Sequence, residues 1–217
     1  MDVNTGEIIE SESRRTLVEP EPTPILSAES IRLVGRFSDL YMIMQAGEDL
    51  YIVDQHTAHE RVLFEETLAR MDRHEMIGQH MLLHVQVDLN PEQFAVFTEA
   101  ASMLNESGFV VAEFGGRTVQ IEAVPVLLSH RPPEKVFRKI IDDLSSLKKA
   151  GYDLKKAMAQ SIACRGAVMA GDRLNDQEAT GLLERLLRCE NKYSCPHGRP
   201  TFVKISRIDL DRQFGRT

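Results

Sequence analysis

The chain has 217 residues, 42% of them hydrophobic, and a formal net charge of −7. This length allows one ordinary domain with a sizeable core or two small ones. No apolar run approaches the roughly 18–20 residues of a membrane span, and no signal-peptide core follows the first residues. Three cysteines, an odd number, argue against a disulfide framework and favour a reducing, cytoplasmic setting. The acidic balance disfavours a stand-alone nucleic-acid binder, which usually shows a basic face.

The first 27 residues differ in composition from the rest of the chain. Pro20, Pro22 and Pro24 stand among several glutamates, with no sustained apolar period. This composition predicts a disordered linker over residues 1–27. A linker at this position indicates that the chain is the C-terminal portion of a longer protein.

The first folded elements are predicted around Asp54. Two apolar segments, 41–44 and 50–53, flank a glycine-containing turn, which predicts a hairpin that ends at Asp54. A helix is predicted to follow over residues 55–73.

The middle of the chain predicts a second set of elements. These are a strand over 80–89, a helix with the capping pair Asn90 and Gln93, a hairpin over 109–121, and a helix from Pro133 to Lys149. From residue 153 a helical pattern extends to Ala170, and Gly171 is predicted to end that helix. Another helix with a capping residue is predicted to start at Asn175. A strand is predicted over 201–205. We therefore expect an α+β protein with a discontinuous subdomain (28–77 and 150–217) and a smaller α/β subdomain (78–149) inserted into it.

Three side chains near the predicted hairpin combine metal-binding chemistry with suitable spacing. Asp54 ends a strand, and His56 and Glu60 follow four residues apart, so the latter two project from one face of the next helix. His59 points about 100° away from Glu60 and is predicted at the surface. Glu65 lies about 140° from Glu60, which favours a salt bridge or subunit contact over a ligand role. The alternative for His56 and Glu60 is an ordinary surface pair.

Two cysteine-containing stretches extend this pattern. Cys164 lies within a predicted helix, and Cys195-Pro-His197 forms part of a rigid loop that ends at Pro200. Sulfur and imidazole suit Zn²⁺, whereas carboxylate oxygens favour Mg²⁺ or Mn²⁺. Cys164 is alternatively a buried small hydrophobic residue. Cys189 receives no predicted role.

Taken together, these stretches resemble the C-terminal domain of the MutL mismatch-repair family, in the branch that has endonuclease activity. The family signature is Asp-Gln-His-Ala, two residues, Glu, four residues, Glu. At that spacing this sequence has Asp54, Gln55, His56, Glu60 and Glu65, with Thr57 where alanine is usual. Three further family motifs match, in the family's order, at Ala163-Cys164-Arg165, at Cys195 to Pro200, and at Phe214-Gly215-Arg216.

The resemblance implies a homodimerising subdomain built from both ends of the chain and an inserted regulatory subdomain. It also implies nicking of one strand of duplex DNA stimulated by Mn²⁺, with Zn²⁺ bound at the same cluster. The implied partners are a second copy, DNA, the sliding clamp, the mismatch-recognition protein MutS and an N-terminal ATPase domain of the full-length chain. The implied location is the bacterial cytoplasm, at the nucleoid. No membrane role is expected.

The predicted site follows from the residues and the resemblance together. The catalytic candidates are Asp54, Glu60 and His56, and the predicted metal ligands are Asp54, His56, Glu60, Cys164, Cys195 and His197. Arg199, Lys148 and Lys149 are candidate DNA contacts. Gln79, Met81, Leu82 and Leu83 are candidate clamp contacts, although His84 stands where the family motif usually has proline. The alternative function is a non-catalytic dimerisation module with a structural zinc site.

Overall fold

The computed structural model of the protein describes residues 31–168 and 174–216. These segments form helices and two antiparallel sheets, which confirms the predicted α+β class. The strands are β1 (Ile31–Phe37), β2 (Tyr41–Ala46), β3 (Asp49–Asp54), β4 (Gly78–Asp88), β5 (Val110–Gly115), β6 (Thr118–Pro125) and β7 (Phe202–Ile205). The α-helices are α1 (Gln55–Asp72), α2 (Pro91–Glu106), α3 (Pro133–Lys149), α4 (Leu154–Gly166), α5 (Asp176–Arg188) and α6 (Arg207–Gln213). The linker predicted for 1–27 and the helix stop predicted at Gly171 lie outside the described residues.

The first sheet, in the order β1-β2-β3-β7, carries the start of α1. The predicted hairpin is confirmed: Ala46 pairs with Asp49 across a two-residue turn whose first residue, Gly47, has φ +60°. Because side chains alternate along a strand, one face of this sheet is apolar and buried. Its residues Met42, Met44, Tyr51 and Val53 pack with residues of α1 and α5 into one core cluster.

The second sheet, in the order β4-β6-β5, packs in a separate core with α2, α3 and α4. The capping box at Asn90 and Gln93 is confirmed, with Pro91 as the first helical residue. At the centre of this core the ring of Phe137 meets those of Phe97 and Phe109 edge-on, at centroid distances of 6.2 and 6.0 Å.

Helix α4 packs on both sides of the predicted subdomain boundary at residue 150. It contacts α1 as well as α3, and its residues Ala157, Met158 and Ile162 belong to the core of the second sheet. The division into an inserted and a flanking subdomain therefore stays a prediction. The predicted extension of this helix to Ala170 is wrong, since Ala167 is already extended at ψ 148°.

Strand β4 contains an irregularity at its centre. His80 pairs with Ala123 and Val85 pairs with Ile121, so β4 contains three residues more than β6 over this interval. The extra residues form a bulge in which Leu82 and Leu83 are 102% and 83% exposed. The predicted clamp-binding residues therefore include two leucine side chains that contribute nothing to the core.

Two short elements were not expected from the sequence. Helix α6 has only seven residues and no buried side chain, so no apolar period marks it. A 3-10 turn at Val126–Leu128 connects β6 to the loop before α3. No helix within residues 31–168 and 174–216 is long and apolar enough to cross a membrane.

Candidate metal centre

Three of the predicted ligands meet at one point, from three parts of the chain. Glu60 comes from α1, Cys164 from α4 and His197 from the loop before β7, and one ligand atom of each lies within 4.8 Å of the other two. His197 Nε2 is 3.3 Å from the Cys164 sulfur, and His197 Nδ1 is 3.4 Å from Glu60 Oε2. We call these three residues the triad.

The carboxylate of Glu60 is buried without a permanent positive charge beside it. Glu60 is 3% exposed, and its ion-pair partners among the described residues are the imidazoles of His56 and His197, at 3.3 and 3.4 Å. A buried carboxylate is costly unless a cation or several donors compensate it. The charge balance of the triad therefore fits a bound cation.

His56 directs its Nε2 toward the carboxylate of Glu60. Its Nδ1 lies 2.8 Å from the carbonyl oxygen of Val168, which can only accept, so Nδ1–H donates this bond. In the neutral ring Nε2 then carries a lone pair, and it lies 3.3 Å from Glu60 Oε1. Two acceptors at this distance need a cation or a proton between them. A backbone carbonyl that fixes the other ring nitrogen is the usual support of a metal-binding histidine.

The surroundings of Cys164 disfavour its thiolate form. Burial raises its pKa well above the ordinary value, and the charge of Glu60 and a hydrogen bond to it raise it further. A bound cation would reverse this balance, because metal ions stabilise the thiolate. The donor set of thiol, imidazole and carboxylate thus fits Zn²⁺.

Cys195 lies beside the triad. It is 1% exposed, and its sulfur is 4.0 Å from His197 Nδ1. The loop folds back on itself, because the amide of Cys195 donates to Arg199 O (2.8 Å) and that of Gly198 to Cys195 O (2.9 Å). Gly198 has φ +81°, a conformation that favours glycine. This turn places Cys195 and His197 on the same side of the loop.

Asp54 lies outside the triad, at the start of α1. Its Oδ1 accepts from the amide of Thr57 at 2.9 Å and so caps the helix. Thr57, which replaces the alanine usual in the resemblance, donates its hydroxyl to Pro200 O at 3.2 Å. Asp54, His56 and Arg199 line one cavity of about 350 Å³. The structure therefore brings these three candidates together at a cavity that adjoins Glu60 through His56.

Helix α1 also holds the loop that carries Cys195 and His197. Arg61, 6% exposed, donates from Nε to Ser194 O at 2.6 Å. Glu65 accepts the amides of Glu190 and Asn191 at 2.7 and 3.1 Å, and it pairs with Arg61 at 3.4 Å. This confirms the salt bridge expected for Glu65. The sequence analysis missed Arg61; its position one turn before Glu65 was the available signal.

The surface position predicted for His59 is wrong. Its ring is only partly exposed, and its Nδ1 accepts the amide of Val168 at 3.1 Å. Burial is the main cause that lowers the pKa of His59 to about 4, so the ring is neutral at pH 7. The chain that leaves α4 covers this side of α1, a long-range contact that helical spacing does not reveal. Val168 thus binds the rings of both His56 and His59.

The remaining candidates lie apart from the triad. Lys148 pairs with Glu99, and Lys149 pairs with Glu92 at 2.5 Å, so both ammonium groups already have carboxylate partners. Cys189 is buried, and burial together with Glu65 raises its pKa to about 12. Its thiol is therefore largely protonated at neutral pH, which makes it a weak nucleophile.

Comparison with known proteins identifies the family. A family model described as the MutL C terminal dimerisation domain matches residues 34–174. The chain belongs to this family. It is 39% identical over 186 residues to the DNA mismatch repair protein MutL of Heliobacterium modesticaldum, a match that covers 85% of this chain and 28% of that protein.

Other MutL relatives match over similar lengths. The chain is 35% identical over 187 residues to the DNA mismatch repair protein MutL of Clostridium botulinum (strain Loch Maree / Type A3), covering 86% of this chain and 28% of that protein. It is 32% identical over 197 residues to the protein of the same name from Clostridium beijerinckii, covering 90% and 30%. The chain therefore spans less than a third of the length of these MutL proteins.

Replacement of Glu65 by glutamine tests whether its carboxylate holds the loop that carries Cys195 and His197. We expect Glu65→Gln to lower the free energy of unfolding by about 1–3 kcal/mol, because two backbone amides lose their charged acceptor. Urea denaturation followed by circular dichroism measures this. The control Glu75→Gln alters an exposed glutamate paired with Arg73 and should change stability little. Equal stability of Glu65→Gln and wild type would contradict the role.

Proposed function

We propose that this chain is the DNA-nicking domain of a MutL protein and hydrolyses one phosphodiester bond of duplex DNA. The observation that carries this proposal is the buried Glu60 carboxylate, which faces a thiol and two imidazoles with no lysine or arginine ion-pair partner among the described residues. A divalent cation held by these residues would supply Lewis-acid activation of the phosphoryl oxygen and a water of lowered pKa. Dimerisation, the property named by the family model, is compatible with this activity.

The ligand chemistry suggests two kinds of cation. Cys164, Cys195 and His197 offer the sulfur and nitrogen atoms that Zn²⁺ prefers, in a structural or regulatory role. Asp54 and Glu60 offer the oxygen atoms that Mn²⁺ prefers, in the catalytic role. Glu60 belongs to both sets, and His56 lies between Glu60 and the cavity that Asp54 lines.

Asp54 is the residue best placed to orient the attacking water. Its Oδ1 caps α1, whereas Oδ2 has no hydrogen-bond partner among the described residues, and the side chain lines the cavity of about 350 Å³. Oδ2 is thus available to bind the catalytic cation, which would carry the attacking water. Arg199 lines the same cavity and can donate to a phosphate oxygen there.

The whole protein's partners are part of this proposal. The matched relatives are bacterial proteins named for DNA mismatch repair, which supports a role in that process. Action with MutS in the bacterial cytoplasm, at the nucleoid, belongs to the same proposal. The proposal includes an N-terminal ATPase domain in the full-length protein, since this chain spans less than a third of the length of these relatives. The alternative function is a non-catalytic dimerisation module with a structural zinc site.

Conversion of supercoiled circular DNA to the open circle tests the nicking activity. With Mn²⁺ present, we expect wild type to nick and Asp54→Asn to be slower by about 100-fold or more, because the carboxylate that binds the cation and orients its water is lost. Asparagine is an equally good helix cap, so the fold should be kept. The matched control Asp39→Asn removes another carboxylate of the same cavity and should nick like wild type.

Two outcomes of this assay would contradict the proposal. Equal conversion by wild type and Asp54→Asn would place the activity elsewhere or in a contaminant. No conversion by either chain, even with the sliding clamp added, would favour the non-catalytic dimerisation module.

The bulge of β4 is the proposed contact with the sliding clamp. Leu82 and Leu83 are exposed next to Gln79, whereas Met81 packs against the core. We expect Leu82→Ser/Leu83→Ser to weaken clamp binding at least about tenfold, because exposed apolar anchors dominate such contacts. Surface plasmon resonance with immobilised clamp measures this. The control Ile77→Ser changes an exposed apolar residue just before β4 and should leave clamp affinity unchanged. An equal loss of clamp affinity in both variants would contradict a specific role of the bulge.

A further inference from the structure

A basic cleft adjoins the triad on the side of Cys164. It has a volume of about 440 Å³ and lies between the start of α3 and the end of α4. It is lined by Arg131, Pro132, Lys135, Val136, Lys139, Cys164 and Arg165. Four of these seven side chains are basic and none is acidic, in a chain whose net charge is −7.

Two lysines of the cleft have no carboxylate partner. Lys135 and Lys139 are four residues apart on α3, which places them on one face of the helix, and both are exposed. Neither forms an ion pair with any residue of the segments that the structure describes. At the other end of the same helix Lys148 and Lys149 are both paired with glutamates. The uncompensated charge of α3 is therefore concentrated at the cleft.

Two acidic side chains of α3 near the cleft already have arginine partners. Glu134 pairs with Arg138 at 3.1 Å, and Asp143 pairs with Arg165 at 2.6 Å. The ion pair with Asp143 also holds Arg165 in place. In addition, Arg165 donates to the carbonyl oxygen of Ser161, one turn earlier in α4, at 3.0 Å. On the α4 side of the cleft Arg165 is thus held by its contacts, and on the α3 side the lysines keep their positive charge.

The first turn of α3 adds to the positive potential. The helix begins after Pro132 with Pro133, and no side chain caps it. The first backbone amides of an uncapped helix are free to bind an anion, and the helix dipole favours negative charge there. Pro132 and Lys135 line the cleft, so this turn borders it.

We propose that this cleft binds the sugar-phosphate backbone of duplex DNA and leads it to the triad. The proposal rests on the proposed function, since it names the path of that reaction's substrate. Lys135 and Lys139 bind phosphates, independently of base sequence, and Arg165 and Arg131 border the same path. Cys164 belongs to both the cleft and the triad, which connects the binding surface to the site.

The salt dependence of DNA binding tests the cleft. Affinity of the 217-residue chain for a fluorescent duplex is measured by anisotropy without divalent cations, over a range of salt concentrations. We expect Lys135→Ala/Lys139→Ala to reduce the slope of log affinity against log salt by about 2, because each phosphate-binding lysine contributes about 1. The reduction should be the same for two duplexes of unrelated sequence.

A charge-matched control removes two basic groups elsewhere. Lys204→Ala/Arg207→Ala alters residues paired with Asp49 and Glu48 near β7, and it should leave the slope unchanged. A third variant, Lys148→Ala/Lys149→Ala, tests the other end of α3.

The outcomes separate this inference from the nicking proposal. An unchanged slope in Lys135→Ala/Lys139→Ala would overturn the proposed DNA-binding role of the cleft. An equal reduction of the slope in the control Lys204→Ala/Arg207→Ala would also overturn it. So would a reduction found only in Lys148→Ala/Lys149→Ala. Absence of any salt-dependent binding by wild type would overturn it too. This assay measures binding without cleavage, so the cleft can bind DNA even if the chain does not nick it. Equally, the chain can nick DNA without using this cleft.

Discussion

The arrangement of this domain depends on one buried carboxylate. Glu60 is almost inaccessible to solvent, and the groups that face it are two imidazoles and a thiol rather than a lysine or arginine. Such a charge is unfavourable unless a cation or proton is shared among these groups. The raised pKa of Cys164 has the same origin, since burial and the charge of Glu60 both oppose formation of the thiolate. A divalent cation at the triad, as we propose, would resolve both features, and residues from three distant parts of the chain converge there.

Helix α1 organises this site from one end to the other. Asp54 caps it, His56 and Glu60 project from its first two turns, and Arg61 and Glu65 hold the loop that carries Cys195 and His197. The acidic residues of the family motif therefore have different tasks. Glu60 faces the ligands, whereas Glu65 binds backbone amides and positions the loop. A substitution at either position would impair the site, but for different physical reasons.

Local patterns in the sequence predicted much of this structure. The four-residue spacing of His56 and Glu60 and the capping box at Asn90 are short-range features, and the structure confirms both. Contacts between distant segments were not accessible in this way. The burial of His59 depends on the chain that leaves α4, and the role of Arg61 depends on a loop more than 130 residues away. The convergence of Cys164 and His197 on Glu60 came from resemblance to a family rather than from spacing, because no local rule relates three separate segments.

The central claim is that the triad binds a metal ion through sulfur as well as oxygen and nitrogen. X-ray absorption fine structure of the zinc-loaded chain measures this most directly. The account predicts a sulfur shell at about 2.3 Å beside nitrogen or oxygen at about 2.0–2.1 Å. The sulfur shell should weaken in Cys164→Ser and persist in Cys189→Ser, whose thiol lies outside the triad. A first shell without sulfur, or a spectrum unchanged by Cys164→Ser, would contradict the account.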